Sequence, residues 1–361
     1  MVLETLELKN FRNYETEEVV FHERINILTG RNAQGKTNLI EAINLLALGK
    51  SFRTRREQEL VRFGADEGRV KGTLRKADRL HTTEIRLPAT ASGKKAYLIN
   101  GVETGTVSDL LGGVYSVVFS PEDLRIVKGD PETRRRFMDR ELILIKPMYY
   151  HKLRKYRQAL KNRNALLKMD RLEEGLLDVY DEQLAEAAAA IMEERKTWLK
   201  AISAAAVQAG ARISDGAEEL CVEYRPNLGQ SCTKEDIKDV FLRGRARDVL
   251  SRSTEAGPHR DDFCIFVSGL DVRLYGSQGQ QRTAALSLRL AEIELIKKET
   301  GEDALLLLDD VMSELDTERQ ERLLGSFGES QIFITAAGSF REEALKLRAA
   351  KIMRIEGGQV M

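Results

Sequence analysis

Alternation of hydrophobic and polar residues predicts β-strands at the start of the chain. Val2, Leu6 and Leu8 lie on one face of such a segment, and the short apolar run Arg24–Leu28 leads into a glycine-containing turn. After this turn, apolar residues recur at helical spacing over Asn38–Leu48. The predicted order is therefore strand, loop and helix.

The next part of the chain, residues 60–120, is rich in β-type segments. An Asn-Gly pair within it favours a tight hairpin turn. The predicted strands lie at Arg69–Leu74, Thr83–Leu87, Ala96–Gly101 and Val114–Phe119. We expect this region to form a lobe built on a mixed β-sheet.

From about Pro147 the pattern becomes that of long helices. Apolar residues follow a three-four spacing that favours helix-on-helix packing, in two stripes: Leu153, Tyr156, Leu160 and Leu167, and then Leu177, Tyr180, Leu184, Ala187, Ile191 and Trp198. Residues 147–169 contain seven Lys or Arg and no acidic residue, whereas Glu173–Glu194 is acid-rich. Two opposed helices would pair these charges.

The last part of the chain returns to an α/β pattern after a stretch, residues 212–255, that we expect to be irregular. A strand at Phe263–Val267, a helix at Gln281–Lys298 and strands at Ala304–Leu308 and Gln331–Thr335 are predicted. We therefore expect one α/β head in two lobes, formed by residues 1–140 and 250–361 and interrupted by a helical arm at 141–249.

Composition narrows the functional classes. Of the 361 residues, 42% are hydrophobic. No apolar run approaches the roughly 20 residues that span a bilayer, and the first residues lack a signal-peptide pattern. We therefore expect a cytoplasmic protein without membrane contact. Three widely spaced cysteines suggest reduced thiols. Lys plus Arg and Asp plus Glu each number 57, so a nucleic-acid site must be a local patch.

Residues 30–37 match the nucleotide-binding pattern G-x-x-x-x-G-K-[ST], known as Walker A, between a strand and a helix. Backbone N–H groups of such a loop surround phosphate oxygens, Lys36 reaches the β- and γ-phosphates of ATP, and Thr37 ligates Mg²⁺. The alternative interpretation of residues 30–37 is a glycine-rich turn that caps a helix and binds no nucleotide. The ATP-binding residues are Gly30, Arg31, Asn32, Ala33, Gln34, Gly35, Lys36 and Thr37.

An apolar strand that ends in two carboxylates, Leu305–Asp310, is typical of the Walker B segment of a P-loop ATPase. Asp309 is the candidate second Mg²⁺ ligand. Asp310 lies where ABC ATPases usually carry the glutamate that polarises the attacking water, so we expect Lys36, Asp309 and Asp310 to be the catalytic group and hydrolysis to be slow. A buried strand followed by an Asp-rich helix cap is the alternative.

Two further segments resemble ABC-ATPase motifs. Ser277–Gln281 resembles the signature S-G-G-Q, with Ser277, Gly279 and Gln280 as the matching residues before a helix. In ABC heads this motif contacts the nucleotide of the other subunit, which implies a head-to-tail homodimer with two ATP molecules between the heads. Ser313 and Asp316 resemble the D-loop that crosses that interface.

Together these motifs identify an α/β P-loop NTPase of the ABC-ATPase head type, and five segments narrow it further. The chain resembles the RecF family along its whole length, through Asn10–Tyr14, Ser120–Leu124, Lys128–Asp139, Gly257–Asp262 and Asp309–Asp316. The resemblance implies ATP-dependent dimerisation, binding to double-stranded DNA and to single-strand/double-strand junctions, and weak DNA-stimulated ATPase activity. It also implies work with RecR and RecO to load RecA in recombinational repair.

Two segments depart from the ABC pattern. Ser120–Glu122 stands where a Q-loop glutamine is usual, and Ala336 and Ala337 follow the last strand where a switch histidine is usual, which leaves γ-phosphate sensing to Thr335. By residue type, His259 is the other candidate for the role of the switch histidine. A lone histidine among charged neighbours is, however, more often part of a structural network.

Clusters of basic residues are the candidates for sequence-independent contacts with DNA phosphates. The alternative for each is an internal ion pair. The candidates are Arg53, Arg55, Arg56, Arg134, Arg135, Lys152 and Lys155.

Rival functions remain open at this point. A P-loop kinase would need an acceptor pocket and an arginine lid but no Ser277–Gln280 motif. A scaffold that binds ATP without turnover would not need Asp310. A transporter head is less favoured because the insertion is larger than such a head requires.

Overall fold

The computed structural model describes residues 1–54, 56–214, 218–229, 233–315, 317–337 and 350–361. Within these ranges the strands are β1 (Val2–Phe11), β2 (Tyr14–Val20), β3 (Ile25–Gly30), β4 (Glu67–Lys76), β5 (Arg79–Pro88), β6 (Ala96–Ile99), β7 (Val102–Thr104), β8 (Ser116–Phe119), β9 (Leu220–Arg225), β10 (Asp262–Val267), β11 (Leu270–Asp271), β12 (Leu305–Leu308), β13 (Ile332–Ala337), β14 (Ala350–Glu356) and β15 (Gln359–Val360).

The helices in the same ranges vary from one turn to eleven. They are α1 (Lys36–Leu48), α2 (Val107–Leu110), α3 (Leu124–Lys128), α4 (Pro131–Ile145), α5 (Pro147–Leu166), α6 (Glu174–Ser214), α7 (Lys234–Ser251), α8 (Val272–Tyr275), α9 (Gln278–Thr300) and α10 (Thr317–Gly325). Among them, none combines the length and the apolar character that crossing a membrane requires.

Contacts divide the chain into two compact units. The first, called unit 1 below, consists of Met1–Asp123 and Glu292–Met361, and unit 2 consists of Leu124–Ala291. Unit 1 is thus built from both ends of the chain. The helical segment expected at residues 141–249 lies within unit 2, which also includes flanking residues on both sides.

The central sheet of unit 1 has the strand order β15-β14-β3-β13-β12-β8. All neighbours are parallel except β15, which is antiparallel to β14. Leu305–Leu308 is buried at every position, as expected for a parallel strand covered on both faces. Because parallel strands end at one edge, the residues that follow β3, β12 and β13 come together there.

The second sheet of unit 1, with the order β2-β1-β4-β5-β6-β7, corrects one expectation. The lobe is antiparallel throughout rather than mixed, because short turns connect most neighbouring strands. Two such turns have positive φ at both residues, Ala77-Asp78 and the predicted Asn100-Gly101. The segment around Val114–Phe119 leaves this lobe, since β8 pairs with β12 in the central sheet.

In unit 2 the two predicted helical stripes are confirmed in α5 and α6, which pack against each other. Leu153 and Tyr156 on α5 and Leu184 and Ile191 on α6 are buried. The predicted pairing of charges is also present, for example Lys152 Nζ with Glu194 Oε1 at 2.6 Å. A three-stranded sheet, β11-β10-β9, completes this unit within the described residues.

The expectation that residues 212–255 are irregular is wrong, because they contain β9 and α7. Burial alternates along β9, with Leu220, Val222 and Tyr224 buried. Helix α7 begins with a capping box in which Thr233 and Asp236 each accept a hydrogen bond from the other's backbone N–H. The sequence contains both the alternation that predicts β9 and the capping residues that predict the start of α7. Gly244 within α7 weakens the helical signal.

A buried ionic cluster lies inside unit 2. The Arg195 guanidinium donates to Asp139 Oδ1 at 2.9 Å and to Asp261 Oδ2 at 2.8 Å. The hydroxyls of Tyr149 and Tyr224 donate to the same two carboxylates. Burial raises the pKa of both tyrosines, so each stays a neutral donor. Arg195 thus bridges two buried carboxylates, and Asp139 also accepts from the more exposed Arg157 at 3.0 Å.

Replacing Arg195 by Met is expected to destabilise unit 2 by about 3–5 kcal/mol, because Asp261 would remain buried without its cation and Asp139 would keep only the exposed Arg157. The measurement is the shift in the urea-unfolding midpoint. Arg225→Met is the matched control, since Arg225 is 54% exposed in its ion pair with Glu223 and its loss should cost less than about 1 kcal/mol. Equal shifts for the two variants would contradict the importance of the cluster.

Candidate functional site

The loop between β3 and α1 has the backbone that the Walker A pattern requires. Gly30 and Gly35 have φ values of 143° and 122°, which side chains other than glycine rarely allow. A Cβ at Gly30 would also lie 2.3 Å from the carbonyl oxygen of Ile355 on β14. No side chain caps the N-terminus of α1, so its first N–H groups face the loop as donors for an anion.

Lys36, the first residue of α1, reaches back across this loop. Its Nζ donates to the carbonyl oxygens of Gly30 at 2.6 Å and Arg31 at 2.8 Å. Burial lowers the pKa of Lys36, and the nearby Asp310 and Asp309 carboxylates oppose that shift. The ammonium is therefore held inside the loop, beside the carboxylates at the end of β12.

Asp309 joins the loop to the central sheet. Its Oδ1 accepts hydrogen bonds from Thr37 Oγ1 at 2.9 Å and from Thr335 Oγ1 at 3.0 Å. Burial raises the pKa of Asp309, while the two hydroxyl donors act in the opposite direction. The Thr37 hydroxyl and the Asp309 carboxylate are adjacent oxygen donors, a set that fits Mg²⁺.

Asp310 follows at the edge of the sheet in an unusual conformation, with φ of 59°. Its N–H donates to Thr335 Oγ1 at 2.9 Å, and Ser313 Oγ donates to its carbonyl at 2.8 Å. Positive φ is uncommon for a residue other than glycine, Asp tolerates it better than most, and strained residues of this kind cluster at functional sites as well as in turns. The carboxylate of Asp310 is exposed beside Lys36 and Thr37.

These residues surround a cavity of about 430 Å³, within the usual size of a small-molecule site. The lining residues are Asn32, Ala33, Gly35, Lys36, Thr37, Asn38, Arg53, Asp309, Asp310 and Thr335. The other three Walker A residues, Gly30, Arg31 and Gln34, line a second cavity of about 470 Å³ together with Arg354 and Glu356 of β14. The structure therefore brings the predicted Walker A and Walker B residues together.

Sequence reasoning gave no role to the residues that support the loop from β1 and β2. Asn13 donates through Nδ2 to the carbonyl of Gln34 at 2.8 Å and accepts from Asn38 Nδ2 at 2.8 Å. Tyr14 donates to the carbonyl of Gly35 at 3.0 Å, and burial raises its pKa so that the donor persists. The segment Asn10–Tyr14 is one of the motifs that carry the family resemblance, but its local pattern does not reveal which residues it contacts.

The structure corrects one candidate DNA contact, Arg134, while the candidate Arg53 stays a prediction. Arg53 lines the nucleotide-sized cavity, where its Nη1 donates to Asn38 Oδ1 at 2.8 Å. Arg134 is buried, and its guanidinium donates to both oxygens of Asp262, at 2.7 and 2.8 Å, and to the carbonyl of Gly129. Arg134 is therefore not available to a DNA phosphate, whereas Arg53 is exposed at the cavity.

The remaining basic candidates differ in exposure. Arg135 donates to the carbonyl of Asp261 at 2.8 Å, and Lys152 pairs with Glu194, so both are partly engaged. The side chains of Arg56 and Lys155 are exposed. Arg55 lies outside the described residues. Arg56 and Lys155 therefore remain the best placed of the predicted DNA contacts.

The signature-like segment in unit 2 forms the N-terminus of α9. Gln280 N donates to Ser277 Oγ at 3.2 Å, and Ser277 N donates to Gln280 Oε1 at 2.9 Å, which makes a capping box. Ser277 is exposed, and beside it Leu274 and Tyr275 are 61% and 70% exposed. Of the D-loop residues, Ser313 contacts Asp310 as described, and Asp316 lies outside the described residues.

His259 has a structural environment in unit 2. Because the Thr254 carbonyl can only accept, His259 donates to it from Nε2 at 2.9 Å and accepts from the Tyr156 hydroxyl at Nδ1, at 2.6 Å. Burial lowers the pKa of His259, which favours this neutral form.

The two segments that depart from the ABC pattern have the following contacts. In the segment that replaces the Q-loop glutamine, Ser120 N donates to Asp123 Oδ2. Near the position of the switch histidine, Thr335 bonds with both Walker B residues, Asp309 and Asp310.

Replacing Asp309 by Asn is expected to remove a pH-dependent cost of folding, while its Oδ1 still accepts from both threonines. A carboxyl with a raised pKa binds its proton more tightly in the folded protein than in the unfolded one. The native chain should therefore lose stability relative to Asp309→Asn as pH rises from about 4 through the raised value, with a constant difference above it. Urea unfolding over a pH series measures this difference, and a difference independent of pH would contradict it.

Comparison with known proteins supports the resemblance seen in the motifs. The family model described as "RecF/RecN/SMC N terminal domain" matches residues 2–356. The "DNA replication and repair protein RecF" of Bacillus cereus (strain B4264) is 43% identical over 371 residues, covering 100% of this chain and 98% of the relative. The protein of the same name from Clostridioides difficile (strain 630) is 40% identical over 367 residues, with the same coverage.

Solved structures agree with this assignment. The structure described as "the recombination mediator protein RecF-ATP in RecFOR pathway" superimposes with a TM-score of 0.92 at 36% identity and covers 100% of this chain and 97% of its own. A structure of an "SmcHead bound to the C-winged helix domain of ScpA" has a TM-score of 0.56 at 18% identity, covering 100% and 96%, which shows the head fold alone. The α/β P-loop head with a helical insertion is confirmed, and the chain belongs to the RecF family of DNA replication and repair proteins.

Proposed function

We propose that this protein is an ATP-switched DNA-binding protein of recombinational repair and replication-gap processing. ATP joins two copies head to tail on DNA, and slow hydrolysis releases them. The observation that carries this proposal is the convergence of Lys36, Thr37, Asp309 and Asp310 on one cavity. Sequence-distant groups of these types meet at the edge of a parallel sheet, as a P-loop ATPase requires.

Each residue around the cavity has a distinct role in the proposed reaction. The loop N–H groups and the Lys36 ammonium bind the β- and γ-phosphates. Thr37 and Asp309 hold Mg²⁺, which neutralises charge that develops on the phosphate oxygens. Thr335, which donates to Asp309 and accepts from the Asp310 N–H, is placed to sense the γ-phosphate. ATP and Mg²⁺ are thus the proposed cofactors.

Asp310 is the proposed acceptor of the proton from the attacking water. Ser313 Oγ lies 3.2 Å from Asp310 Oδ1 as well as bonding its carbonyl, so the side chain is partly held in place. An aspartate is one methylene shorter than the usual glutamate and therefore reaches less far towards the water. Weak ATPase activity follows from that shorter reach, and we propose that DNA stimulates it.

The dimer is proposed to depend on Ser277, Gly279 and Gln280 of one copy and the nucleotide of the other. Because the Ser277 hydroxyl accepts the Gln280 N–H, its own proton remains free to donate to a phosphate oxygen. The helix N-terminus of α9 adds further N–H donors. Ser313 and Asp316 would cross the same interface as the D-loop.

DNA contact is proposed through exposed cations rather than through overall charge, which is balanced. Arg56 and Lys155 are the leading residues, and Arg135 and Lys152 are secondary because they also bond within the protein. Phosphate contacts of this kind do not read sequence, so double-stranded DNA and single-strand/double-strand junctions are the proposed targets. RecR, with RecO and RecA downstream, are the proposed partners, in the cytoplasm.

Solution mass is the first test of the proposal. ATP with Mg²⁺ should double the mass of the native chain, whereas ADP or no nucleotide should leave a monomer. Ser277→Arg should remain monomeric with ATP, because the bulky cation displaces the donors of the capping box, yet should bind nucleotide normally through its own Lys36. A mass that never responds to ATP would overturn the head-to-tail mechanism.

A second test separates hydrolysis from assembly. Asp310→Asn should reduce phosphate release at saturating ATP by about 100-fold, the usual contribution of a general base, while ATP-dependent dimerisation persists. The dimer should then survive longer after free ATP is removed. Unchanged phosphate release would favour a scaffold that does not depend on turnover.

A further inference from the structure

Glu41 is a fully buried carboxylate that lies outside the nucleotide-sized cavity, one helical turn beyond Thr37 on α1. Its two oxygens accept hydrogen bonds from Arg12, Ser51 and Arg53. A buried carboxylate is costly to desolvate unless donors are fixed around it, and here three side chains from different parts of unit 1 supply them. The reaction proposed above assigns it no role.

Arg12 neutralises Glu41 in a two-point ion pair. Its Nε donates to Oε2 at 2.9 Å and its Nη2 donates to Oε1 at 2.8 Å. The remaining Nη1 donates to the carbonyl oxygen of Glu59 at 2.8 Å. Each guanidinium nitrogen of Arg12 therefore donates a hydrogen bond. Arg12 thereby connects the P-loop helix α1 to the 3-10 turn Glu57–Leu60.

Arg53 is held more loosely. Its Nη1 lies 2.8 Å from Asn38 Oδ1 and 3.4 Å from Glu41 Oε2, and the side chain is 41% exposed while it lines the cavity. Since Arg12 already neutralises Glu41, the second guanidinium leaves an excess positive charge. That charge lies on the same cavity wall as Lys36 and Thr37.

Ser51 fixes the main chain that carries Arg53. Its hydroxyl donates to Glu41 Oε1 at 2.5 Å and accepts from the backbone N–H groups of Arg53 at 2.9 Å and Thr54 at 3.0 Å. Glu41 thus orients Arg53 in two ways, through the guanidinium and through the turn on which that residue stands.

We propose that Glu41 is a positioning residue that holds Arg53 at the cavity as a second cation for the phosphates of ATP. This inference rests on the proposed function, since it assigns a further residue to the same site. Glu41 itself does not touch the nucleotide and acts through Arg53. Its charge is sufficient to orient Arg53, yet the 3.4 Å contact is weak enough for a phosphate to compete.

A double-mutant cycle on ATP affinity tests this role. Glu41→Gln, Arg53→Ala and the double variant are titrated with ATP and Mg²⁺ at equilibrium. Each single variant is expected to weaken binding by about tenfold, the effect of one charge-assisted hydrogen bond. The double variant should bind no more weakly than Arg53→Ala alone, because in this proposal Glu41 affects the nucleotide only through Arg53, and its bonds with Arg12 and Ser51 do not reach the phosphates.

Ser51→Ala keeps the buried ion pair and serves as a second variant should Glu41→Gln fold poorly. It should weaken ATP binding several-fold in the native background and not at all in the Arg53→Ala background. Glu7→Gln is the matched control, since Glu7 pairs with Arg69 and Lys71 in the antiparallel lobe away from the cavity. Its affinity for ATP should equal that of the native chain.

The outcomes separate this inference from the proposed function. Losses that multiply in the double variant to about a hundredfold, or an unchanged affinity in Glu41→Gln, would overturn the positioning role while leaving ATP binding by the native chain intact. Failure of the native chain to bind ATP would overturn both. A lowered unfolding midpoint in Glu41→Gln without the predicted non-additivity would show that Glu41 serves folding alone.

Discussion

One oxygen atom, Asp309 Oδ1, is the constraint on which the nucleotide-sized cavity depends. It accepts from Thr37 on the P-loop helix and from Thr335 on the adjacent strand, and its own residue ends β12. Three separate parts of the chain therefore meet at one buried charge. The cost of that burial is evident in the raised pKa of Asp309, and the parallel sheet supplies the rigidity that sustains it.

Charge pairing inside the protein explains why composition says so little about partners. The chain has 57 basic and 57 acidic residues, and several of them neutralise each other in the interior. Arg163 lies between Asp181 and Asp248, while Glu41 accepts from two arginines. Such clusters cost desolvation energy, and the charges within them are not available to an external partner. The basic residues available to a polyanion are therefore the exposed ones, and the total number of basic residues does not reveal them.

Local sequence rules were sufficient for the head and for the centre of its site. The glycines of the loop, the apolar strand before Asp309 and the helix after Lys36 each carry a nearby signal, and parallel topology brings them together. Contacts between side chains that are far apart in the sequence cannot be predicted from such local signals. Arg134 finds Asp262 at a separation of 128 residues, and Arg53 turns towards a cavity wall made by distant segments. The sequence predicts the strands of the β-lobe but not their antiparallel pairing, and it does not predict helix α7, because both depend on tertiary partners that weak local signals do not reveal.

The arrangement of unit 1 has a consequence for synthesis on the ribosome. Strand β3 is complete by residue 30, but the strands that flank it, β13 and β14, begin at Ile332 and Ala350. At roughly 5–20 residues per second, the chain waits roughly 15–60 seconds for the roughly 300 residues in between. Throughout that interval the apolar edges of β3 lack their neighbours, while the inserted unit is already complete. The nascent head therefore carries unpaired strand edges, which favour aggregation, until its last strands emerge.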